Sequence, residues 1–424
     1  MPVALGIDLG TSGVRVAVLD QHGELCHSEA TGYRCGLEHP EDWAVACTEL
    51  IRAIPDALRT QLKAVAVDGT SGTLLACDQD GEPLGPALLY SAAFPAHSNR
   101  LHQLVAGDSP AASSSGSLAR ALELLKRYPS TRLLRHQADW INGWLLQDWR
   151  WGEEGNNLRL GWDLSTGGWI DALTAGAWPA LLPSVRPSGH RLGTIPKQRA
   201  QELHLPEGLQ LIAGTTDSNA AVLAATPGAG DGVTVLGTTL VLKQFTDSPL
   251  QGAGITRHRV GGRWLCGGAS NAGAGVLRRF FNDDDLIELS RQIDPERDSG
   301  LALLPLPGRG ERFPVDDPTL EPILEPRPIS DALFLHGLLE GLALIEARGW
   351  KRLHELGAPK PQRVISLGGG ARNPQWRRIR ERMLGCPVVS CRQPPAAGVA
   401  TLALAGLSQA QSNNRVVIDA NQNP

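Results

Sequence analysis

The 424-residue chain carries a formal net charge of −4, and nothing in that balance points to a surface for nucleic acid or an anionic membrane. Its length exceeds one ordinary core and predicts two large domains. No apolar run approaches the ~18 residues of a membrane span, no segment has signal-peptide form, and the seven cysteines are scattered without a CxxC pair. A cytoplasmic protein with reduced thiols is expected, without a disulfide frame or zinc site. No lysine follows a GxxxxG and no GxGxxG occurs, so any nucleotide is held by something other than a P-loop or Rossmann turn.

In chain order, Val3 to Leu9 reads as a buried strand and Val14 to Asp20 as a second that alternates apolar and polar. Between them lies a tight turn of Gly10, Thr11, Ser12 and Gly13, whose small hydroxyls and bare N–H groups suit a phosphate chain. Asp8, at the mouth of that turn, is placed to hold Mg²⁺ or its waters. An ordinary N-terminal hairpin with a strand-end aspartate is the plain alternative. Glu24 to Ala30 returns as a third strand, and Pro40 to Leu62 has helical spacing with a proline interruption at Pro55. Lys63 to Asp68 is a short apolar strand ending in Gly69-Thr70-Ser71-Gly72.

The middle of the chain is less regular. Ala106 to Ser117 is a small-residue loop and Leu118 to Tyr128 an amphipathic helix. Seven of the eleven tryptophans lie between Trp140 and Trp178; they form either an aromatic sugar platform or packing for an irregular segment. From Leu209 the opening pattern recurs as LQLIAG, a Thr215-Thr216-Asp217-Ser218-Asn219 turn and a helix over AAVLAA. Pro227 to Gly232 reads as a hinge, and Asp231 to Phe245 repeats the glycine–hydroxyl hairpin with Gly237-Thr238-Thr239 at its turn.

A third glycine loop, Gly267 to Gly275, leads into a helix over VLRRFF, and Leu301 to Arg327 is a proline-rich surface excursion. Ser330 to Leu356 is the longest helical pattern, capped by Ser330. Arg363 to Leu367 is a strand, followed by Gly368-Gly369-Gly370-Ala371-Arg372-Asn373 and a helix containing Trp376. Pro387 to Cys391 is a strand, Ala396 to Leu407 an Ala-rich helix, and the tail from Ser408 is polar and expected to fray. Four glycine turns, at 10–13, 237–239, 267–275 and 368–373, each follow an apolar strand and present N–H groups without side-chain obstruction.

These stretches resemble the FGGY carbohydrate kinases of the actin-like ATPase superfamily. The resemblance rests on GIDLGTSGVR, GTTDSNAA, LGTTLVL, SNAGAGVLRRF, HGLLEGLALIEARGW and LGGGARNPQW. VDGTSGTLLACD and HQADW bring it nearest the compact ribulose-kinase-like group of cyanobacteria and plants. It implies an α/β fold of two actin-like (ribonuclease-H-like) domains flanking a nucleotide/sugar cleft. The sugar and catalytic side would span 1–226 and the nucleotide side 227–396, with 397–424 returning to the first domain. The implied reaction is ATP-dependent phosphorylation of a ketopentose, D-ribulose first.

In that scheme Asp217 is the general base and Asp8 orients Mg²⁺. Ser12, Gly13 and Ser71 contact sugar with Asp217, while Thr11, Gly237, Thr238, Gly369, Asn373 and Trp376 hold ATP. Partners would be ATP and a small sugar, with no nucleic acid or membrane, in a monomer or small homo-oligomer. Two departures bear on the substrate. Xylulokinases carry a Met-His pair where Ser71-Gly72 is followed here by Thr73-Leu74-Leu75, and a Trp–Asp–Arg sugar contact of many members is replaced by Tyr90-Ser91-Ala92-Ala93. Kinases for D-xylulose or another polyol, and an actin-like nucleotide-binding regulator without kinase activity, are the competing expectations.

Overall fold

The computed structural model describes residues 3–107 and 109–420. They divide into two compact units: Met1–Ala224 with Arg259–Gly262 and Gln393–Pro424, and Ala225–His258 with Arg263–Arg392. No described helix is long and apolar enough to cross a membrane.

In the first unit, β1 (Val3–Leu9), β2 (Gly13–Leu19) and β3 (Leu25–Gly32) form an antiparallel meander. After helix α1 (Pro40–Ala53), β4 (Leu62–Gly69) pairs parallel with β1. Among the described residues the sheet is completed by β5 (Arg191–Thr194) and β6 (Gln210–Thr216), in the order β5-β6-β4-β1-β2-β3. β1 and β4 are buried on both faces, which is why they read as near-continuous apolar runs. One face packs Ile7, Leu9, Val16 and Val67 against Trp43, Leu50 and Ile51 of α1. The other receives α4 (Asp217–Ala224) and α7 (Pro395–Ala420). α7 lies so close that a Cβ on Gly6 would fall 1.9 Å from the Ala396 carbonyl oxygen, so only glycine fits β1 there.

The second unit repeats the scheme. β7 (Asp231–Leu236), β8 (Leu240–Thr246), β9 (Ile255–Val260), β10 (Arg263–Ala269), β11 (Arg363–Leu367) and β12 (Val388–Ser390) run in the order β9-β10-β8-β7-β11-β12. β7 is antiparallel to β8 and parallel to β11, as β1 is to β2 and β4. The long helix α5 (Asp331–Glu355), capped by Ser330, packs with α6 (Pro374–Leu384). This is the actin-like, ribonuclease-H-like arrangement twice over.

Several elements differ in extent from the sequence expectation. β6 runs through Thr216 straight into α4, without a separate turn. The VLRRFF helix is a single turn, Ala274–Leu277; Asn282 then starts a new helix, Asp283–Arg291, through a capping box with Asp285. The proline-rich stretch is no surface excursion throughout, since Leu303, Leu306 and Phe313 pack in the second core. α7 continues past Ser408 to Ala420, and the end of the expected tail, 421–424, lies outside the described residues.

Four tryptophans of the tryptophan-rich segment make packing contacts. Trp43 meets Trp140 edge-on at 5.9 Å and Trp149 lies tilted against Trp140 at 5.5 Å, Trp140 donates to the Gly81 carbonyl, and Trp162 meets Trp169 edge-on at 5.5 Å. A cavity of about 1110 Å³ opens beside Trp140, Trp144 and Trp149. Its arginines are committed within the protein: Arg135 to carbonyls of Leu134, Trp149 and Leu181, Arg150 to Asp148, and Arg199 to Glu202.

Candidate active site

Three aspartates gather where β1, β4 and β6 end in the first unit. A carboxylate inside an apolar strand costs several kcal/mol unless its charge is used or neutralised. Asp8 is 2 % exposed, and its Oδ2 lies 3.1 Å from Arg15 Nη1 on β2. Asp68 is its register partner on the neighbouring strand. Asp68 is fully buried, and neither of its oxygens has a hydrogen-bond partner among the described residues. Burial first, then the Asp8 carboxylate beside it, holds Asp68 well above the ordinary carboxylate range, and Asp217 adds to the effect. Asp217 is the first residue of α4, half-buried, with Oδ1 accepting from the Ser218 N–H at 2.7 Å.

Two turns flank these carboxylates. Gly10 N donates to the Gly13 carbonyl at 2.9 Å, leaving Thr11 and Ser12 exposed. Gly13 is fixed by crowding, since a Cβ there would lie 2.1 Å from the Thr31 carbonyl oxygen. Ser71 is half-buried in the other turn, after β4. A hydrogen-bond chain that sequence reading missed ties the turns together. Tyr33 Oη donates to the Gly10 carbonyl at 3.0 Å and accepts from Gln137 Nε2 at 3.3 Å, while Gln137 Oε1 accepts from Thr70 N at 3.0 Å. Asp139, two residues on in the HQADW stretch, is bonded to Glu153 N and Asn157 Nδ2, both at 2.9 Å, and is structural.

The second unit carries the other three glycine turns at the ends of β7, β10 and β11. Gly237 accepts from Ala274 N at 2.9 Å and Thr238 from Gly275 N at 3.2 Å, which docks the third glycine loop onto the Gly237-Thr238 turn. Thr238 is exposed and Gly237 half-buried. Glu311, from the proline-rich stretch, clamps the same loop by accepting from Ser270 Oγ at 2.5 Å and Asn271 N at 2.7 Å. Gly369 is exposed in a 3-10 turn, Gly369–Arg372.

The remaining two residues of the expected ATP set are engaged by the fold. Asn373 caps α6, its Oδ1 accepting from Gln375 N at 3.0 Å and Trp376 N at 3.1 Å, and its Nδ2 donates to Ser290 Oγ at 2.8 Å. Trp376 is 1 % exposed with its ring beneath Gly370, so the aromatic wall expected for a base forms the floor of the turn in this structure.

Beneath that turn, Glu346 of α5 accepts from Arg380 Nε at 2.5 Å and Nη2 at 2.7 Å and from Thr234 Oγ1 at 2.6 Å, while Arg380 Nη1 reaches Ser366 Oγ at 2.7 Å. Both partners are buried. Replacing Glu346 by alanine would strand the guanidinium, so Glu346→Ala should destabilise this unit by about 3–5 kcal/mol. The urea midpoint measures it, and an unchanged midpoint would contradict the role given to this pair.

The donor set in the first unit fits a divalent cation. Asp8 supplies a hard carboxylate oxygen at the mouth of the turn, paired here with Arg15, and the buried Asp68 carboxyl beside it has oxygens without a partner among the described residues. Among the described residues no three such side chains converge closely enough to enclose an ion. A bound Mg²⁺ would therefore keep waters and phosphate oxygens in its shell, as Mg²⁺ does with nucleotides.

Comparison with known proteins sets this geometry in context. A model of the FGGY family of carbohydrate kinases, C-terminal domain, matches residues 232–407. The xylulose kinase of Streptomyces rubiginosus is 27% identical, over 91% of this chain and 83% of its own. Among solved structures, the Brucella ovis protein described as a xyloylose kinase superposes with a TM-score of 0.82 at 19% identity, covering 96% of this chain and 91% of that one. The Plasmodium falciparum glycerol kinase with ADP gives 0.80 at 14% identity, covering 96% and 90%. At these identities the structural likenesses establish the shared two-domain fold.

Proposed function

We propose that this chain, an ATP-dependent carbohydrate kinase whose residues 232–407 belong to the FGGY family as its C-terminal domain, phosphorylates a ketopentose, with D-ribulose its best acceptor. The observation that carries the reading is Asp217 at the start of α4, its charge felt by buried Asp68, next to the turns bearing Thr11, Ser12 and Ser71. A nucleotide-binding scaffold has no need of a half-buried carboxylate beside two buried ones at the ends of neighbouring strands. A sugar kinase needs one to take the proton from the attacking hydroxyl, a contribution of roughly 10²- to 10⁴-fold.

Ser12, Gly13 and Ser71 hold the sugar so that its hydroxyl faces Asp217. Thr11 and Thr238 bond phosphate oxygens, and Gly369 presents its N–H without side-chain obstruction, while Gly237, whose N–H donates to the Thr239 carbonyl at 3.2 Å, shapes the turn that carries Thr238. Asn373 and Trp376 serve the nucleotide side by fixing the Gly369 turn. Mg²⁺, when bound beside Asp8, neutralises charge on the β- and γ-phosphates during transfer. The rest is positioning: the chain holds acceptor and phosphate in line and keeps the carboxylates in place.

The choice of D-ribulose rests on the likeness of VDGTSGTLLACD and HQADW to ribulose-kinase-like sequences, and on the missing Met-His and Asp-Arg groups. The relatives named xylulose kinase favour D-xylulose as the second reading. The two sugars differ at C3 alone, and strong discrimination arises where a buried polar group would be left unpaired. Initial rates with D-ribulose, D-xylulose, L-ribulose and glycerol at equal subsaturating concentration decide it. D-Ribulose should give the highest kcat/KM; a higher value for D-xylulose or glycerol would overturn the substrate while leaving the kinase.

A further inference from the structure

β6 does not run regularly into the helix that Asp217 begins. It matches β4 residue for residue from Gln210 to Ala213, and Thr216 then pairs with Gly69, so Gly214 and Thr215 stand against the single residue Asp68. One extra residue bends a strand and takes its backbone out of the ladder, a device that re-aims side chains beside active sites. Gly214 is required in this bulge, since a Cβ on it would fall 1.9 Å from the Val67 carbonyl oxygen. The buried Thr215 carbonyl finds a donor 59 residues away in the chain, in Asn156 Nδ2 at 3.3 Å.

Asn156 is itself held from several sides. Helix α2 (Gln137–Leu146) fastens a short helix, α3 (Glu154–Asn157), through Asp139, which accepts from Glu153 N and Asn157 Nδ2, both at 2.9 Å. Glu153, 1% exposed, accepts from Gly155 N at 2.8 Å, Asn156 N at 2.9 Å and Asn156 Nδ2 at 3.0 Å. Burial pushes its carboxyl well above the ordinary carboxylate range, the consequence of placing an acceptor out of reach of water. The Asn156 amide thus turns its N–H₂ group to Glu153 and Thr215, while its buried oxygen has no partner among the described residues. What this position uses is the donor. Beyond the bulge, Thr215 Oγ1 accepts from Asn219 Nδ2 at 3.3 Å. The residues two before and two after Asp217 are therefore tied into one buried chain, Glu153–Asn156–Thr215–Asn219.

We propose that Glu153 and Asn156 are positioning residues for phosphoryl transfer, holding the bulged end of β6 so that the Asp217 carboxylate is aimed at the acceptor hydroxyl. The inference rests on the kinase reading and deepens it by naming what aims the base. As the hydroxyl oxygen bonds the γ-phosphorus and the bond to ADP breaks, Asp217 takes the hydroxyl proton. A base displaced by about 1 Å does this poorly, at a loss of up to about 10²-fold, although its charge and the contacts of both substrates remain.

The test is steady-state kinetics of wild type, Asn156→Leu and Asn156→Ala, each also combined with Asp217→Asn, alongside thermal melts. Leucine fills nearly the same space and removes the donor. Alone, Asn156→Leu should lower kcat at least about tenfold, with KM for the ketose and for ATP within about twofold of wild type. In the Asp217→Asn background no base is left to aim, and the same substitution should lower the residual kcat by less than about twofold. A merely structural role would shrink the active fraction equally in both backgrounds, so the two losses would multiply. Multiplied losses, or an unchanged kcat in Asn156→Leu, refute the positioning role and leave the kinase standing. Should Asn156→Leu fail to fold, Asn156→Ala decides by the same comparison. If wild type shows no sugar-dependent ADP release, the kinase reading falls first and takes this inference with it.

Discussion

Asp217→Asn should lose at least about two orders of magnitude in sugar-dependent turnover, a rise of about 2.7 kcal/mol in the barrier. The amide keeps the shape of the carboxylate and can still accept the Ser218 N–H that Asp217 Oδ1 accepts at 2.7 Å. What it cannot do is take a proton from an attacking hydroxyl. Nucleotide affinity should be nearly intact, because Gly237, Thr238, Gly369, Asn373 and Trp376 of the set assigned to ATP lie in the other unit. Equilibrium ATP binding and initial rates on the same preparation separate these effects. Retained turnover would remove Asp217 from the mechanism; lost ATP binding would mean that the substitution damaged the fold.

Asp8→Asn is expected to cut turnover at least about tenfold and to shift the Mg²⁺ dependence to higher concentration. Two consequences act together. The cation loses a charged oxygen, and Arg15 loses the partner that holds it 3.1 Å away. The unsatisfied oxygens of Asp68 lie on the adjoining strand and cannot replace a group at the mouth of the turn. Magnesium titrations of variant and wild type that superimpose would exclude Asp8 as a metal-orienting residue.

Asp8 was legible because one carboxylate interrupts an otherwise apolar strand. Asp68 carries the same signal in KAVAVD, but its weight comes from lying opposite Asp8 in the sheet, and register between strands over 50 residues apart leaves no mark on local periodicity. The glycine–hydroxyl hairpin was visible at 10–13 and again at 237–239, and in the fold each joins the first two strands of its own sheet. Tyr33 and Gln137, 104 residues apart, join only in the fold. Glu311 sits in a proline-rich run whose composition suggests surface, though its carboxylate is buried under a glycine loop. The sequence around Trp376 predicts its helix but not which face turns inward. Its ring went under Gly370, where a glycine leaves room for it.

The central claim is that this chain moves a phosphoryl group from ATP to a sugar hydroxyl. Incubation of wild type with ATP labelled with ³²P at the γ-position, Mg²⁺ and D-ribulose, followed by separation of sugar phosphate from inorganic phosphate, tests it directly. The account predicts label on the sugar, dependent on D-ribulose and lost in Asp217→Asn. Label found as inorganic phosphate at the same rate with D-ribulose, D-xylulose, glycerol or no sugar would contradict it, and would make the chain a nucleotide hydrolase on this fold.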